Sequence, residues 1–151
     1  LAGSFRSFSL RPATGDDFPE IKALIRQARI NPTRLDWRRF TVAVDEGGEV
    51  IACGQLKPVP GECTELASLA VRPGYRRQGF ARALIEHLLA GASRPVYLTC
   101  RSGLGEIYEK FGFRALERNE MPAHYRRLQR LVGLLMGLAQ QGETLLVMKL
   151  G

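Results

Sequence analysis

Leu69-Ala70-Val71-Arg72-Pro73-Gly74-Tyr75-Arg76-Arg77-Gln78-Gly79-Phe80-Ala81 is the stretch on which the reading of this chain turns. Leu69 and Val71 end an apolar strand, Arg72-Pro73-Gly74 turns the chain, and Gly79 introduces a helix. Amides at a helix start have no partner inside the helix and carry positive potential. A diphosphate fits there without a metal. Gly79 lets the backbone approach a phosphate closely. Arg76 and Arg77 add charge, and at least one is expected to reach phosphate directly. The segment is not a P-loop, since it lacks that spacing and the Lys-Ser/Thr ending, and it lacks the full Gly-x-Gly-x-x-Gly pattern. The plain alternative is a basic turn before an ordinary helix.

Upstream, Ser7 to Arg11 alternates like a strand. Asp16 or Asp17 is placed to cap a helix from Phe18 to Arg29, whose apolar positions Phe18, Ile21, Leu24, Ile25 and Ala28 have helical spacing. Asn31-Pro32 stops it, and Thr33 to Arg39 reads as a short helix or loop. Phe40 to Asp45 and Val50 to Lys57 flank Glu46-Gly47-Gly48-Glu49, a hairpin signal. Thr64 to Val71 is the strand that feeds the loop. Downstream, the helix runs from Phe80 to Leu89 and closes at Gly91. Pro95 to Cys100 is a buried type of strand. Gly105 to Phe111 reads as a helix, Phe113 to Glu120 as a polar edge strand, Ala123 to Gln140 as a helix, and Thr144 to Leu150 as the last strand. Leu128, Leu131, Val132, Leu135 and Leu138 would form the stripe of the long helix that packs on a sheet. Antiparallel and crossover connections are mixed, so the chain reads as one α/β layer structure rather than a doubly wound nucleotide domain.

The 151 residues suit one domain with a core large enough to fold without metal or disulfides. No apolar run is long enough to span a bilayer, and the first residues lack the basic and apolar regions of a signal peptide. The chain opens on Leu rather than Met, which leaves a removed targeting segment open. Cys53, Cys63 and Cys100 are three and widely spaced, a poor disulfide framework, so a reducing, cytoplasmic setting is expected. His87 and His124 are far apart, and no metal-ligand spacing occurs. The net charge of +7 favours anionic partners without choosing among them.

With these residues in view, the chain resembles the GNAT superfamily of N-acetyltransferases. The family signature Arg/Gln-x-x-Gly-x-Gly/Ala stands here as Arg76, Gly79 and Ala81, after the lead-in Leu69 to Tyr75. A second block, Ile107-Tyr108-Glu109-Lys110-Phe111-Gly112-Phe113, looks like the family's Tyr helix. The resemblance implies a GNAT-like acyltransferase fold over residues 4–150, a mixed, mostly antiparallel sheet flanked by helices, with acetyl-CoA as cosubstrate and no metal. It implies that the amides of Arg77, Gln78, Gly79, Phe80 and Ala81, with Arg76, hold the pyrophosphate. Leu69, Ala70 and Val71 would lie along the pantetheine arm, with the Val71 amide facing the thioester carbonyl. Arg101 and Leu104 depart from the family's Asn and Ala. Arg101 is counted with the cofactor residues, and the cofactor arm or acceptor wall is where a difference is expected.

Acyl transfer to an amine needs a neutral nucleophile, a donor for the oxyanion and a proton for the leaving sulfur. Glu65 is the candidate base, sharing strand parity with Ala67, Leu69 and Val71, with a solvated edge carboxylate as the alternative. Tyr108 is the candidate acid, with core packing as the alternative. Trp37 would wall an apolar acceptor or anchor the short helix, and Asp36 would attract a cationic amine or cap that helix. Tyr125 would line the site or cover a sheet edge. His124 reads as surface polar, with a proton relay as the alternative, and His87 as structural. Cys100 keeps a covalent acyl route open without a His partner. The leading expectation is an enzyme, an acetyl-CoA-dependent N-acyltransferase acting on an amine of a small molecule or peptide by direct attack. The alternative is an acyl-CoA-binding sensor without turnover. Nucleic acid binding through Arg126, Arg127 and Arg130 is disfavoured, because no aromatic platform accompanies them. No membrane partner is expected, and Leu134 and Met136 leave a homodimer contact open.

Overall fold

In a computed structural model of the chain, residues 7–136 and 142–151 are described. They divide into two compact units. One takes the residues up to Leu56 with Leu66–Gly91, and the other takes Lys57–Glu65 with Ala92–Gly151.

In the first unit, strand β1 (Phe8–Pro12) pairs antiparallel with β2 (Phe40–Asp45), and β2 pairs antiparallel with β3 (Val50–Val59). The Asp45 carboxylate accepts from the amides of Gly47 and Glu49, and Gly48 takes φ +81°, which closes the expected hairpin. Strand β4 is Cys63–Val71. Helices α1 (Phe18–Gln27) and α2 (Phe80–Ala90) pack on different side chains of these strands. Ile21, Leu24 and Ile25 of α1 meet Phe40, Val42, Val44 and Ala70. Phe80 and Leu84 of α2 meet Ala43, Ile51 and Ala52. The alternation of Val42, Ala43 and Val44 between the two clusters is the two-residue period of a strand covered on both faces. Ile21 and Ile25 are fully buried, which stabilises the unit by about 1.5–3 kcal/mol each.

The start of α1 differs from the expected cap. A 3-10 turn, Gly15–Asp17, precedes it, and the Asp17 side chain caps no amide of α1. The Asp17 carboxylate instead accepts from both Arg11 guanidinium nitrogens, at 2.7 and 3.0 Å, and from the Thr14 amide. A bidentate guanidinium contact outcompetes a single helix amide.

In the second unit, β5 (Val96–Arg101) pairs antiparallel with β7 (Leu145–Leu150) and parallel with the start of β4, where Glu65 sits opposite Tyr97. The expected strand over Phe113 to Glu120 shrinks to β6 (Arg114–Ala115) beside β7. Its remainder folds into a 3-10 turn, Arg118–Glu120. The Glu120 carboxylate reaches back to Arg114 at 2.8 Å and to the Glu117 amide, contacts that an extended chain cannot make. Helix α3 is Gly105–Glu109 and α4 is Ala123–Met136. The expected continuation of α4 to Gln140, with Leu138, lies outside the described residues. The packing stripe of α4 is also shifted. Tyr125 is fully buried and Leu128 partly so, against Cys63, Tyr97 and Val147, while Leu131 and Leu135 are 55% and 68% exposed.

The strand order is β1-β2-β3-β4-β5-β7-β6, a mixed and mostly antiparallel sheet of seven strands flanked by helices, as expected. Among the described residues, no helix is long and apolar enough to cross a membrane.

Candidate functional site

The loop between β4 and α2 forms as its sequence suggests. The Arg72 amide donates to the Ile51 carbonyl at 2.8 Å, the last cross-strand bond before the turn, and the Tyr75 amide donates to the Arg72 carbonyl at 3.0 Å. Gly74 and Gly79 take φ +91° and +90°, and Arg77 takes φ +62° between them. Such left-handed backbone costs a side-chain-bearing residue about 1–2 kcal/mol, so two of the three positions carry glycine. Gly79 is the N-cap of α2, and the first bond into the helix runs from the Ala83 amide to the Gly79 carbonyl at 3.0 Å. The amides of Phe80, Ala81 and Arg82 therefore have no helical acceptor and face outward as a positive terminus. Among the described residues, nothing lies within 4 Å of the position a Gly79 Cβ would take, so the approach to these amides is open.

The arginines of the loop divide by role. The Arg76 Nε donates to the Val71 carbonyl at 3.3 Å, and the Gln78 side-chain Nε2 donates to the Gly74 carbonyl at 3.0 Å, so both side chains brace the loop. Arg77 stays exposed, while Arg72 pairs with Glu49 at 3.1 Å and Glu20 at 3.5 Å. Phe80 is 3% exposed, with its ring edge-on to Phe8 and Tyr75. Only its backbone is left for a ligand. A cleft of about 330 Å³ runs along this region, lined by Leu69, Ala70 and Val71 and by Arg76, Arg77 and Gly79 to Arg82, with Ala28 and Tyr75. Gln78 is absent from that lining. The free amides, the open Gly79 and the adjoining strand residues fit a phosphate-bearing ligand with an extended arm.

Strand β4 departs from simple alternation. Ser68 takes φ +57°, and its hydroxyl accepts from the Gln55 side-chain amide at 2.8 Å. A left-handed residue shifts the two-residue period by one, so the parity expected from Glu65 through Ala67 to Leu69 and Val71 does not hold past Ser68. Leu69 and Val71 pack beside Phe80 and Leu84, and Ala70 packs with the α1 cluster.

In the second unit, Glu65 is buried, 7% exposed, rather than a solvated edge carboxylate. Its Oε2 accepts from the Tyr125 hydroxyl at 2.6 Å, and its Oε1 lies 3.7 Å from the Lys57 ammonium. Burial, then the adjacent Glu65 charge, pushes the Tyr125 hydroxyl far above the usual phenol range, so it stays a neutral donor. Tyr97 stacks on Tyr125 at 5.4 Å and His124 meets it edge-on at 5.1 Å. Tyr108 of α3 is half-buried with its ring edge-on to Phe113. Burial, with the Cys100 thiol second, raises its hydroxyl, which keeps it protonated near neutral pH. Arg101 is exposed at the end of β5.

Other candidates resolve into structure. Asp36 caps the 3-10 turn Trp37–Arg39 by accepting from the Arg38 amide, and Trp37 packs on the α1 cluster. His87 lies exposed on α2. All three cysteines are buried free thiols. Burial drives Cys53 up to about 12 and raises Cys63 and Cys100, so none is primed as a thiolate at neutral pH. Arg118, Arg126, Arg127 and Arg130 line a smaller concavity of about 270 Å³, with Arg126 held by the Met121 carbonyl at 2.7 Å. Among the described residues, no group of three His, Cys, Asp or Glu side chains is placed to hold a metal. Sequence reasoning missed Lys57 and the Tyr125 pairing, which no local pattern signals. It also missed Gln55, whose one signal is a polar side chain inside the apolar run from Val50 to Leu56.

Comparison with known proteins agrees with this geometry. The model of the acetyltransferase (GNAT) family matches residues 8–113. The amino-acid acetyltransferase of Neisseria meningitidis is 29% identical over 134 residues, covering 79% of this chain and 30% of that protein. The structure of N-acetylglutamate synthase from Neisseria gonorrhoeae, complexed with coenzyme A and N-acetyl-glutamate, is similar with a TM-score of 0.72 and 26% identity, covering 96% of this chain and 35% of that one. A Mycobacterium tuberculosis protein in complex with CoA has the same fold, with a TM-score of 0.69 and 23% identity, over 95% of this chain and 99% of its own. The chain thus spans about a third of the length of the two Neisseria relatives.

Proposed function

Because the chain belongs to the acetyltransferase (GNAT) family, we propose that residues 4–150 act as one enzyme domain that moves an acetyl group from acetyl-CoA to an amine, an amino acid being the first acceptor to try. The observation that carries this reading is the cleft in which Leu69, Ala70 and Val71 adjoin the free amides at the start of α2. In this reading the amides of Arg77 to Ala81 and the Arg77 charge hold the pyrophosphate, and Arg76 and Gln78 keep the loop in shape. The backbone of Leu69 to Val71 pairs with the arm, and Arg101 adds a further cationic contact. Acetyl-CoA supplies the activated thioester.

Glu65 holds the proton that the attacking amine gives up, directly or through water. Tyr125 fixes its Oε2 at 2.6 Å, and Lys57 keeps charge beside its Oε1. Tyr108, kept protonated by burial, gives a proton or hydrogen bond to the leaving sulfur. The buried thiols, all shifted upward, support direct attack over a covalent acyl-Cys route. They also accord with a reducing, cytoplasmic setting. The names of the Neisseria relatives support an amino acid as acceptor. Exposed Leu131, Leu134 and Leu135 on α4 support a homodimer contact, which solution mass decides.

The test is coenzyme A release from acetyl-CoA across a panel of amines headed by L-glutamate and other amino acids, with mass spectrometry of products. An acetylated amine formed in step with free thiol supports the enzyme. One observation favours a second reading: the Glu65 carboxylate is already engaged by Tyr125 and Lys57. Tight acetyl-CoA binding with no acetylated product across the panel would favour an acyl-CoA sensor.

A further inference from the structure

Strand β3 carries a side chain that its surroundings satisfy only in part. Gln55 is 1% exposed. Its Nε2 donates to the Ser68 hydroxyl, yet its Oε1 is buried and accepts no hydrogen bond from any described residue. Exchanging the two ends of the amide does not remove the defect. The Ser68 hydroxyl would then donate to the oxygen, and the amino group would be left alone. A leucine would fill this place in an apolar strand without an unmet polar atom, so stability alone does not account for a glutamine.

The partner of Gln55 is itself strained. Ser68 sits at φ +57°, and its carbonyl accepts from the Cys53 thiol at 3.6 Å. Between these two contacts, Gly54 lets β3 close on the next residue, since a Cβ there would stand 2.7 Å from Leu69 Cδ2. Cys53, Gly54 and Gln55 thus grip Ser68 and Leu69 through three consecutive residues. Immediately beyond the grip, Leu69, Ala70 and Val71 line the cleft.

We infer that Gln55 is a positioning residue, which holds Ser68 in the left-handed conformation and so sets the backbone of Leu69–Val71 for an extended acyl-CoA arm. The inference rests on the acyl-CoA reading of the cleft. Strain kept at a binding edge by a buried polar contact is how a strand presents amides that a regular ladder would consume.

The test uses the full chain and coenzyme A as probe. Gln55→Leu is expected to fold with an unchanged or higher Tm, yet to weaken coenzyme A binding about tenfold, the factor left-handed strain commands. Adding Ser68→Gly, which adopts a positive φ freely, restores Kd to within about twofold, whereas adding Ser68→Ala does not. An unchanged Kd in Gln55→Leu overturns the inference. So does a loss that follows Tm and that glycine does not repair. The backbone chemical shifts of Ser68 supply a readout independent of ligand. They move to extended values in Gln55→Leu if Gln55 holds the bend, and stay put if it does not. Failure of the parent protein to bind coenzyme A would count against the cleft reading alone, with the Ser68 shifts still deciding the role of Gln55.

Discussion

Around Gly79 the proposed site is built from backbone, and around Glu65 it is built from side chains sixty positions apart. The loop from Arg72 to Arg82 works through φ angles and unpaired amides. The side chains of Arg76 and Gln78 brace it from within. The Glu65 cluster works through one carboxylate whose two oxygens are each addressed by a different residue, Tyr125 and Lys57. A backbone site tolerates exchange of side chains and fails when a torsion is denied to it. A side-chain site tolerates backbone adjustment and fails when one atom changes.

Mutations separate the two kinds of site. On the proposed reading the largest effect belongs to Glu65→Gln, which keeps shape and a partner for Tyr125 while removing the base. Turnover is expected to fall about 100-fold, the lower range for general base catalysis. The loss is steepest at low pH, where the amine is hardest to deprotonate, and coenzyme A affinity is unchanged. A pH–rate profile parallel to the parent's would strip Glu65 of the base role. Next is Gly79→Val, which denies the φ of +90° without meeting a steric obstacle. Coenzyme A binding is expected to weaken about 30-fold, from roughly 2 kcal/mol of left-handed strain. Unaltered affinity in titration calorimetry would mean that the torsion is not what makes the loop a site.

Tyr108→Phe comes third, with kcat lowered about tenfold and coenzyme A affinity nearly intact, as for a group acting on the leaving sulfur. Equal turnover in steady-state assays would return Tyr108 to packing against Phe113. The smallest effect lies outside both regions and fixes the pH window in which they are compared. Hydrogen bonds from Arg11, opposed by burial and helped by Thr14, hold the Asp17 carboxyl down at about 2. The folded value lies below the unfolded one, so the contribution is full above about pH 4 and is lost as pH falls towards 2. Asp17→Asn is expected to cost about 1 kcal/mol at pH 7, a Tm drop of about 3 °C, and to flatten the acid limb of the Tm–pH curve. A limb as steep as the parent's would place the acid sensitivity elsewhere. Rate profiles for Glu65 are accordingly read above pH 4.

The loop was legible because its information is local. Arg76, Gly79 and Ala81 fix turn, torsion and helix start within six residues, and Ile107 to Phe113 adds a second block read the same way. Strands such as Phe40–Asp45 and the start of α2 followed from period and punctuation. Phe113 to Glu120 was misread because the Glu120 carboxylate turns back to the Glu117 amide and to Arg114, contacts between residues near in sequence that a weak polar alternation does not signal. The stripe on α4 was misread because helical spacing says which residues share a face, not how many turns of that face find something to cover.

The sequence by itself determined the family and the glycine-bearing turn into a helix start, and it put forward Glu65 and Tyr108 as candidates for acyl transfer. Those depend on residue types at short spacing, which local sterics and backbone hydrogen bonding convert directly into structure. Only the tertiary structure decided that Glu65 is buried against Tyr125, that Ser68 takes a left-handed φ inside β4, and that the Gln55 side chain meets its hydroxyl. Each of these pairs residues far apart in the chain. Their meeting is fixed by strand register and by the packing of a helix, which no short stretch of sequence specifies.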